Sequence, residues 1–253
     1  MEAKGRAFSS HDIVGIRRAV LEDDLATLKG IVGSDIAGNL RDLSDARRAT
    51  RSQLDEASKA VLVGIAGPGA LVRDDQFAAA AALACEGRRA LVVQATGWGK
   101  SAVYWMAARA LRDAGAGPTL VVSPLLALMR NQVEAAKQSG LRAATLNSSN
   151  FGEWSEIMAN LEAGHIDVLL TSPERLANPR FAAKVMPWLV PRLGLLVIDE
   201  AHCISQWGPA FRPEYEDLAR LKSLFPKVPI AALTATADQV TRNDIVDKLF
   251  ANR

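Results

Sequence analysis

The apolar run Ala90-Leu91-Val92-Val93 passes directly into Gln94-Ala95-Thr96-Gly97-Trp98-Gly99-Lys100-Ser101, and a helix-forming stretch follows. No other feature restricts the fold as strongly, because a strand, a glycine-bearing turn and a helix N-terminus in that order make a cradle for an anion. Gly97 and Gly99 let the backbone turn sharply and aim its N–H groups at a phosphate. The helix that follows offers its positive end, Lys100 an ammonium and Ser101 a magnesium-binding hydroxyl. The strict form of the pattern has glycine at position 94, where this chain has glutamine.

A second run, Leu195-Leu196-Val197-Ile198, is fully apolar and branched, as suits a strand buried on both faces, and it ends in Asp199-Glu200-Ala201-His202. Acids at the tip of a buried strand are costly unless they are used. With a phosphate cradle elsewhere in the chain, Asp199 reads as a magnesium-facing acid acting largely through water, beside an ion held by Ser101 and the phosphates. Glu200 then orients and deprotonates the attacking water. Cradle and acid-tipped strand together imply a nucleoside triphosphatase that uses Mg2+, with Lys100, Asp199 and Glu200 as its catalytic residues.

Composition narrows this reading. A chain of 253 residues with 49% hydrophobic content can bury one sizeable α/β core and still carry an appendage. Net charge is +2, so contact with nucleic acid has to come from a local patch and not from a global basic field. The two cysteines, Cys85 and Cys203, are too few for a disulfide framework or a four-ligand zinc site. No stretch approaches the roughly 20 apolar residues of a membrane span, and the N-terminus has no leader-like apolar run. These features lead to the expectation of a cytoplasmic protein without a membrane partner.

The chain divides in two. Over residues 1–65, Ile13, Ile16 and Val20, and then Leu21, Leu25, Leu28 and Val32, recur at helical spacing among interspersed basic and acidic residues. This predicts a helical extension, with a boundary where Gly64-Ile65-Ala66-Gly67-Pro68-Gly69 breaks the pattern. Over 66–253 the pattern alternates. Strands are predicted at 90–94, 119–123, 143–146, 167–171, 194–198 and 229–233, and helices near 74–86, 100–114, 125–138, 153–163, 213–223 and 238–250. Such alternation implies a three-layer α/β/α domain with a mostly parallel sheet and its site at the carboxyl ends of the strands. Lys100, Ser123, Thr171, Asp199 and Thr234 all fall at or just past such an end.

In this order the motifs resemble the first RecA-like lobe of a superfamily-two helicase, and within that group the RecQ family. The resemblance covers about residues 70 to 250. It implies that Arg73 and Gln76 seat and read the adenine, and that Gln94 to Ser101, including Thr96, Gly97, Trp98 and Gly99, form the first ATPase motif. Val121-Val122-Ser123-Pro124, continuing through Gln132, is similar to the family's strand-to-helix DNA-contact motif, and Thr171-Ser172-Pro173-Glu174-Arg175-Leu176 to its next one. Asp199 to Gly208 is the most specific match, and Thr234-Ala235-Thr236-Ala237 matches the motif that links hydrolysis to movement. Nucleic-acid contacts are therefore expected at Ser123, Gln132, Ser172, Arg175, Trp207, Phe211 and Arg212, with Trp207 and Phe211 stacking on unpaired bases. His202, Thr234 and Thr236 are expected to couple the two sites.

The chain also departs from the family. Pro209-Ala210 replaces the usual His-Asp pair, which predicts weak coupling between DNA and hydrolysis, and Trp98 stands where a small residue is common. The sequence stops at Arg253 without a second RecA-like lobe, so that lobe and its arginine finger are expected in a longer parent protein. The reading is the ATP-binding lobe of a RecQ-like DNA helicase acting on single-stranded or tailed DNA, with its oligomeric state open. Two alternatives stay open: a nucleotide- and strand-binding module without turnover of its own, and a DEAH-type RNA helicase lobe.

Overall fold

Six apolar runs of four or five residues become the strands of one sheet: β1 (Ala90–Val93), β2 (Thr119–Val122), β3 (Ala143–Leu146), β4 (Val168–Thr171), β5 (Leu195–Ile198) and β6 (Ile230–Thr234). The structure is a computed structural model, and it describes residues 47–124, 126–147, 150–176, 178, 181, 184–206 and 227–250. The predicted extension up to residue 46 and the predicted helix at 213–223 therefore lie outside the described residues. Each described strand falls within a residue of its predicted span, because a short apolar run of β-branched residues and leucine satisfies itself best when both of its faces are covered.

All pairings are parallel, in the order β1-β6-β5-β2-β4-β3. Alternation along the strands sends successive side chains to opposite faces. Val121, Val168, Leu170, Leu195, Val197, Ala231 and Leu233 enter one core cluster, while Leu120, Val122, Leu169, Leu196, Ile198, Ile230 and Ala232 enter the other. The first cluster is covered by α1 (Arg51–Ala66), α2 (Asp74–Ala84), α3 (Lys100–Asp113) and α4 (Leu126–Gln138). The second is covered by α5 (Trp154–Glu162), a short α6 (Pro173–Leu176), α7 (Met186–Leu189), α8 (Cys203–Gln206) and α9 (Gln239–Leu249). The result is the expected three-layer α/β/α arrangement.

Helix α1 differs from the sequence reading in extent. Thr50 caps its start, its hydroxyl accepting from the Gln53 N–H at 3.2 Å while the Gln53 side chain accepts from the Thr50 N–H at 2.8 Å. The helix then runs through Gly64 to Ala66, and the break comes at Gly67, where φ is 90°. Gly64 is helical because α1 touches α4 there: a Cβ at Gly64 would stand 1.9 Å from the Gln138 carbonyl oxygen. Leu54, Ala57, Val61 and Leu62 of α1 belong to the same core as the sheet. The glycine read as a breaker thus marks a close approach of backbones.

Candidate functional site

The site lies at the carboxyl edge of the sheet, where β6 separates β1 from β5. The register pairs Val93 with Thr234 and Ile198 with Ala232, so the loop after β1, the acids after β5 and the threonine ending β6 emerge side by side. Two backbone bonds fasten the three segments together: the Gln94 N–H donates to the Thr234 carbonyl at 3.2 Å, and the Ala201 N–H donates to the Leu233 carbonyl at 2.8 Å.

In the loop, Gly97 and Gly99 adopt φ values of 82° and 93°, in the left-handed region that glycine enters without cost, and Gly99 leads directly into α3. Thr96, Gly97, Gly99 and Ser101 are exposed. The Lys100 ammonium folds back over the loop and donates to the carbonyls of Gln94 at 2.8 Å and Ala95 at 3.2 Å. The two residues expected to bind the adenine, Arg73 and Gln76, meet the same loop. Gln76 is buried, and its amide donates to the carbonyls of Trp98 at 3.2 Å and Gly99 at 3.3 Å. The Arg73 guanidinium lies 5.9 Å from the centre of the Trp98 ring, within cation–π range. The bulky indole is therefore directed toward Arg73.

Asp199 and Glu200 follow β5 in a tight turn. Glu200 has φ of 49°, a backbone conformation that a non-glycine residue holds only under tertiary constraint and that recurs at functional sites. Burial pushes the Asp199 carboxyl above its ordinary range, the Glu200 charge adds to this, and the Glu200 N–H, Gln132 and Lys100 oppose it. Two adjacent acids balanced by one lysine suit a cation. Among the described residues no group of three or more His, Cys, Asp or Glu side chains forms a metal cage. The available donors, the Ser101 hydroxyl and the Asp199 carboxylate, fit a hard ion that keeps water and phosphate oxygens as its other ligands, as magnesium does.

The three residues expected to couple the sites form a continuous chain with Glu200. His202 Nδ1 lies 3.2 Å from Glu200 Oε2 and 2.9 Å from Thr234 Oγ1. Thr234 gives its own proton to the Thr236 carbonyl at 3.1 Å and accepts from the Thr236 N–H at 3.3 Å. With that hydroxyl committed, Nδ1 is the donor, shared between the glutamate and the threonine.

The expected nucleic-acid residues divide. Ser123 is fully buried, and its hydroxyl has no hydrogen-bond partner among the described residues. Ser172 is buried and accepts from the Arg175 N–H at 3.3 Å, capping α6. Gln132 is buried with its amide turned inward, donating to Asp199 Oδ2 at 2.7 Å. Arg175 is partly exposed, its guanidinium 5.2 Å from the centre of the Trp154 ring. Trp207, Phe211 and Arg212 lie outside the described residues, as do Pro209 and Ala210. Sequence reasoning did not single out Tyr104, which is fully buried three residues after Ser101 on α3. Its signal was the three-residue spacing from Ser101, which puts both on one helix face.

Fold and site together define an α/β nucleotide-binding domain of the phosphate-loop kind. The profile of the DEAD/DEAH box helicase family matches residues 73–244, and the chain belongs to that family. It is 44% identical over 164 residues to ATP-dependent DNA helicase RecQ of Pasteurella multocida, covering 64% of this chain and 25% of that protein. It is 45% identical over 168 residues to ATP-dependent DNA helicase Q-like 2 of Arabidopsis thaliana, covering 64% and 23%. The matched region thus spans about a quarter of the length of these two relatives. Among solved structures, the DUF1998 helicase MrfA bound to DNA and AMPPNP shares the fold with a TM-score of 0.61 at 19% identity, over 80% of this chain and 29% of that one. No helix among the described residues is long and apolar enough to cross a membrane.

Proposed function

We propose that this chain is the ATP-binding lobe of a RecQ-like ATP-dependent DNA helicase, in which hydrolysis drives movement along single-stranded DNA. The observation that carries this reading is the chain Glu200–His202–Thr234–Thr236 set beside the phosphate loop. It links Glu200 to the segment after β6 through the side chains of His202 and Thr234 and the backbone of Thr236.

Lys100 exchanges the Gln94 and Ala95 carbonyls for the β- and γ-phosphates, and Arg73 and Gln76 take the adenine. Ser101 and, through water, Asp199 would hold a magnesium ion that arrives with ATP, and such an ion would neutralise phosphate charge. Glu200 accepts the proton of the attacking water as its oxygen bonds to the γ-phosphorus and the bond to ADP breaks. The His202 Nδ1–H orients the glutamate and registers its change of charge toward Thr234 and Thr236. DNA contact falls to Arg175 and to the stretch holding Trp207, Phe211 and Arg212, since Ser123, Gln132 and Ser172 are buried. A second RecA-like lobe completes the ATP site in the parent helicase.

Titration with a fluorescent ATP analogue tests the core of this reading. Lys100→Ala should weaken binding about 10- to 100-fold, the worth of a lost charge-assisted hydrogen bond of ~1.5–3 kcal/mol. Stimulation of hydrolysis by single-stranded DNA and not by RNA separates it from an RNA helicase lobe. Unchanged affinity in Lys100→Ala would remove the phosphate-loop assignment.

A further inference from the structure

Behind the acid site lies a set of buried polar atoms that neither the fold nor the hydrolysis scheme accounts for. Tyr104 is fully buried in α3, its ring 4.4 Å from that of Trp105, and its hydroxyl has no hydrogen-bond partner among the described residues. Gln132 Oε1 is also buried without a partner, although the same side chain gives its Nε2 to Asp199 Oδ2 at 2.7 Å. One orphan is a donor and the other an acceptor. A phenylalanine would fill the Tyr104 volume without the cost of a buried, unsatisfied hydroxyl. The phenol nevertheless stands close to the reacting edge: burial pushes its proton affinity far up, the Asp199 charge pushes it further, and Ser101 and Gln132 act in the opposite sense as neighbouring polar groups, though none is in hydrogen-bonding geometry.

We propose that Tyr104 and Gln132 are positioning residues for Asp199: as ATP and magnesium draw Ser101 and Asp199 together, the Tyr104 hydroxyl donates to Gln132 Oε1 and fixes the amide with its N–H toward Asp199 Oδ2. The reason is geometric. A glutamine amide can rotate to present either atom, and only one orientation offers a donor to the carboxylate. A hydroxyl donating to the oxygen end selects that orientation, so a residue with no contact to nucleotide sets the aim of the acid that faces the ion. Gln132 also lies on α4, at the end of the segment resembling a DNA-contact motif, so the network joins that helix to the acid site. The inference rests on the ATP-binding reading above, and it concerns positioning behind the ion, where removal of a supporting residue typically costs 10- to 100-fold in metal affinity.

The test measures binding of a fluorescent ATP analogue to the 253-residue chain in EDTA and across a magnesium titration. Tyr104→Phe should bind nucleotide in EDTA as the parent does, while the magnesium concentration at half-effect rises about tenfold. Its melting temperature should rise by about 2–4 °C, because an unsatisfied buried hydroxyl has gone. Gln132→Met should show the same rise in magnesium requirement. The double variant should be no worse than Gln132→Met alone, since the hydroxyl acts through the amide. Magnesium midpoints equal to the parent in both single variants, or additive losses in the double variant, overturn the proposal while leaving nucleotide binding assigned. A parent chain that binds no nucleotide under either condition overturns the functional reading, and this one with it.

Discussion

Residues at this site serve by being held in place, and Glu200 shows how. Its φ of 49° turns the chain so that Asp199 faces Gln132 while Glu200 faces His202. Neighbours in sequence thereby acquire separate partners, and so separate roles. Because Glu200 makes no described contact with the phosphate loop, Glu200→Gln should leave the affinity for an ATP analogue within about twofold and lower hydrolysis by roughly 10²-fold, the scale of a lost general base. Parallel measurement of binding and turnover checks this, and an equal loss in both would assign Glu200 to the architecture of the turn. The placement of Lys100 and Ser101 at the start of α3 was legible from their position after Gly99. The inward turn of Gln132 was not, because its partner Asp199 comes from a distant strand.

At the scale of elements, the edge of the sheet opposite the site is held by Asp167, just before β4. Its carboxylate accepts from Arg112 of α3 at 2.9 Å and from Arg142, ahead of β3, at 2.8 Å. Burial alone would raise the Asp167 pKa. The Arg142 side chain and N–H, together with Arg112, outweigh burial and hold it below its ordinary value of 3.8. A carboxyl with a depressed folded pKa adds stability above its unfolded pKa and loses it as pH falls through the folded value. Asp167→Asn should therefore cost about 1–3 kcal/mol at neutral pH, the worth of charged hydrogen bonds. Thermal melts of both proteins should show a constant gap above about pH 5 that closes as pH falls below the 3.8 of a free aspartate. A gap that persists at low pH would mean that shape and not charge holds this edge. Strand positions were readable in sequence because apolar runs and turn residues are local signals. The true end of α1 was not, since Gly64 answers to Gln138 across space.

For the whole molecule, the proposed function sets a second lobe opposite this one, and an arginine supplied from such a facing surface typically adds about 10³–10⁵ in rate. The 253-residue chain should bind ATP, turn it over slowly and leave a tailed duplex intact. Strand separation with ATP, compared with Lys100→Ala, reads this out, and robust unwinding by the parent chain alone would show that a second copy or the N-terminal residues supply the facing surface. By itself the sequence determined the kind of domain and its chemistry: the strand-turn-helix cradle, the acid-tipped strand and the alternation of apolar runs are local patterns, and local sterics and burial dictate them. Tertiary structure alone decided adjacency. It placed β6 between the cradle and the acids, gave Thr234 to His202, and turned Gln132 toward Asp199. Strand order and side-chain partnership depend on packing many segments at once, and no single stretch of chain encodes them.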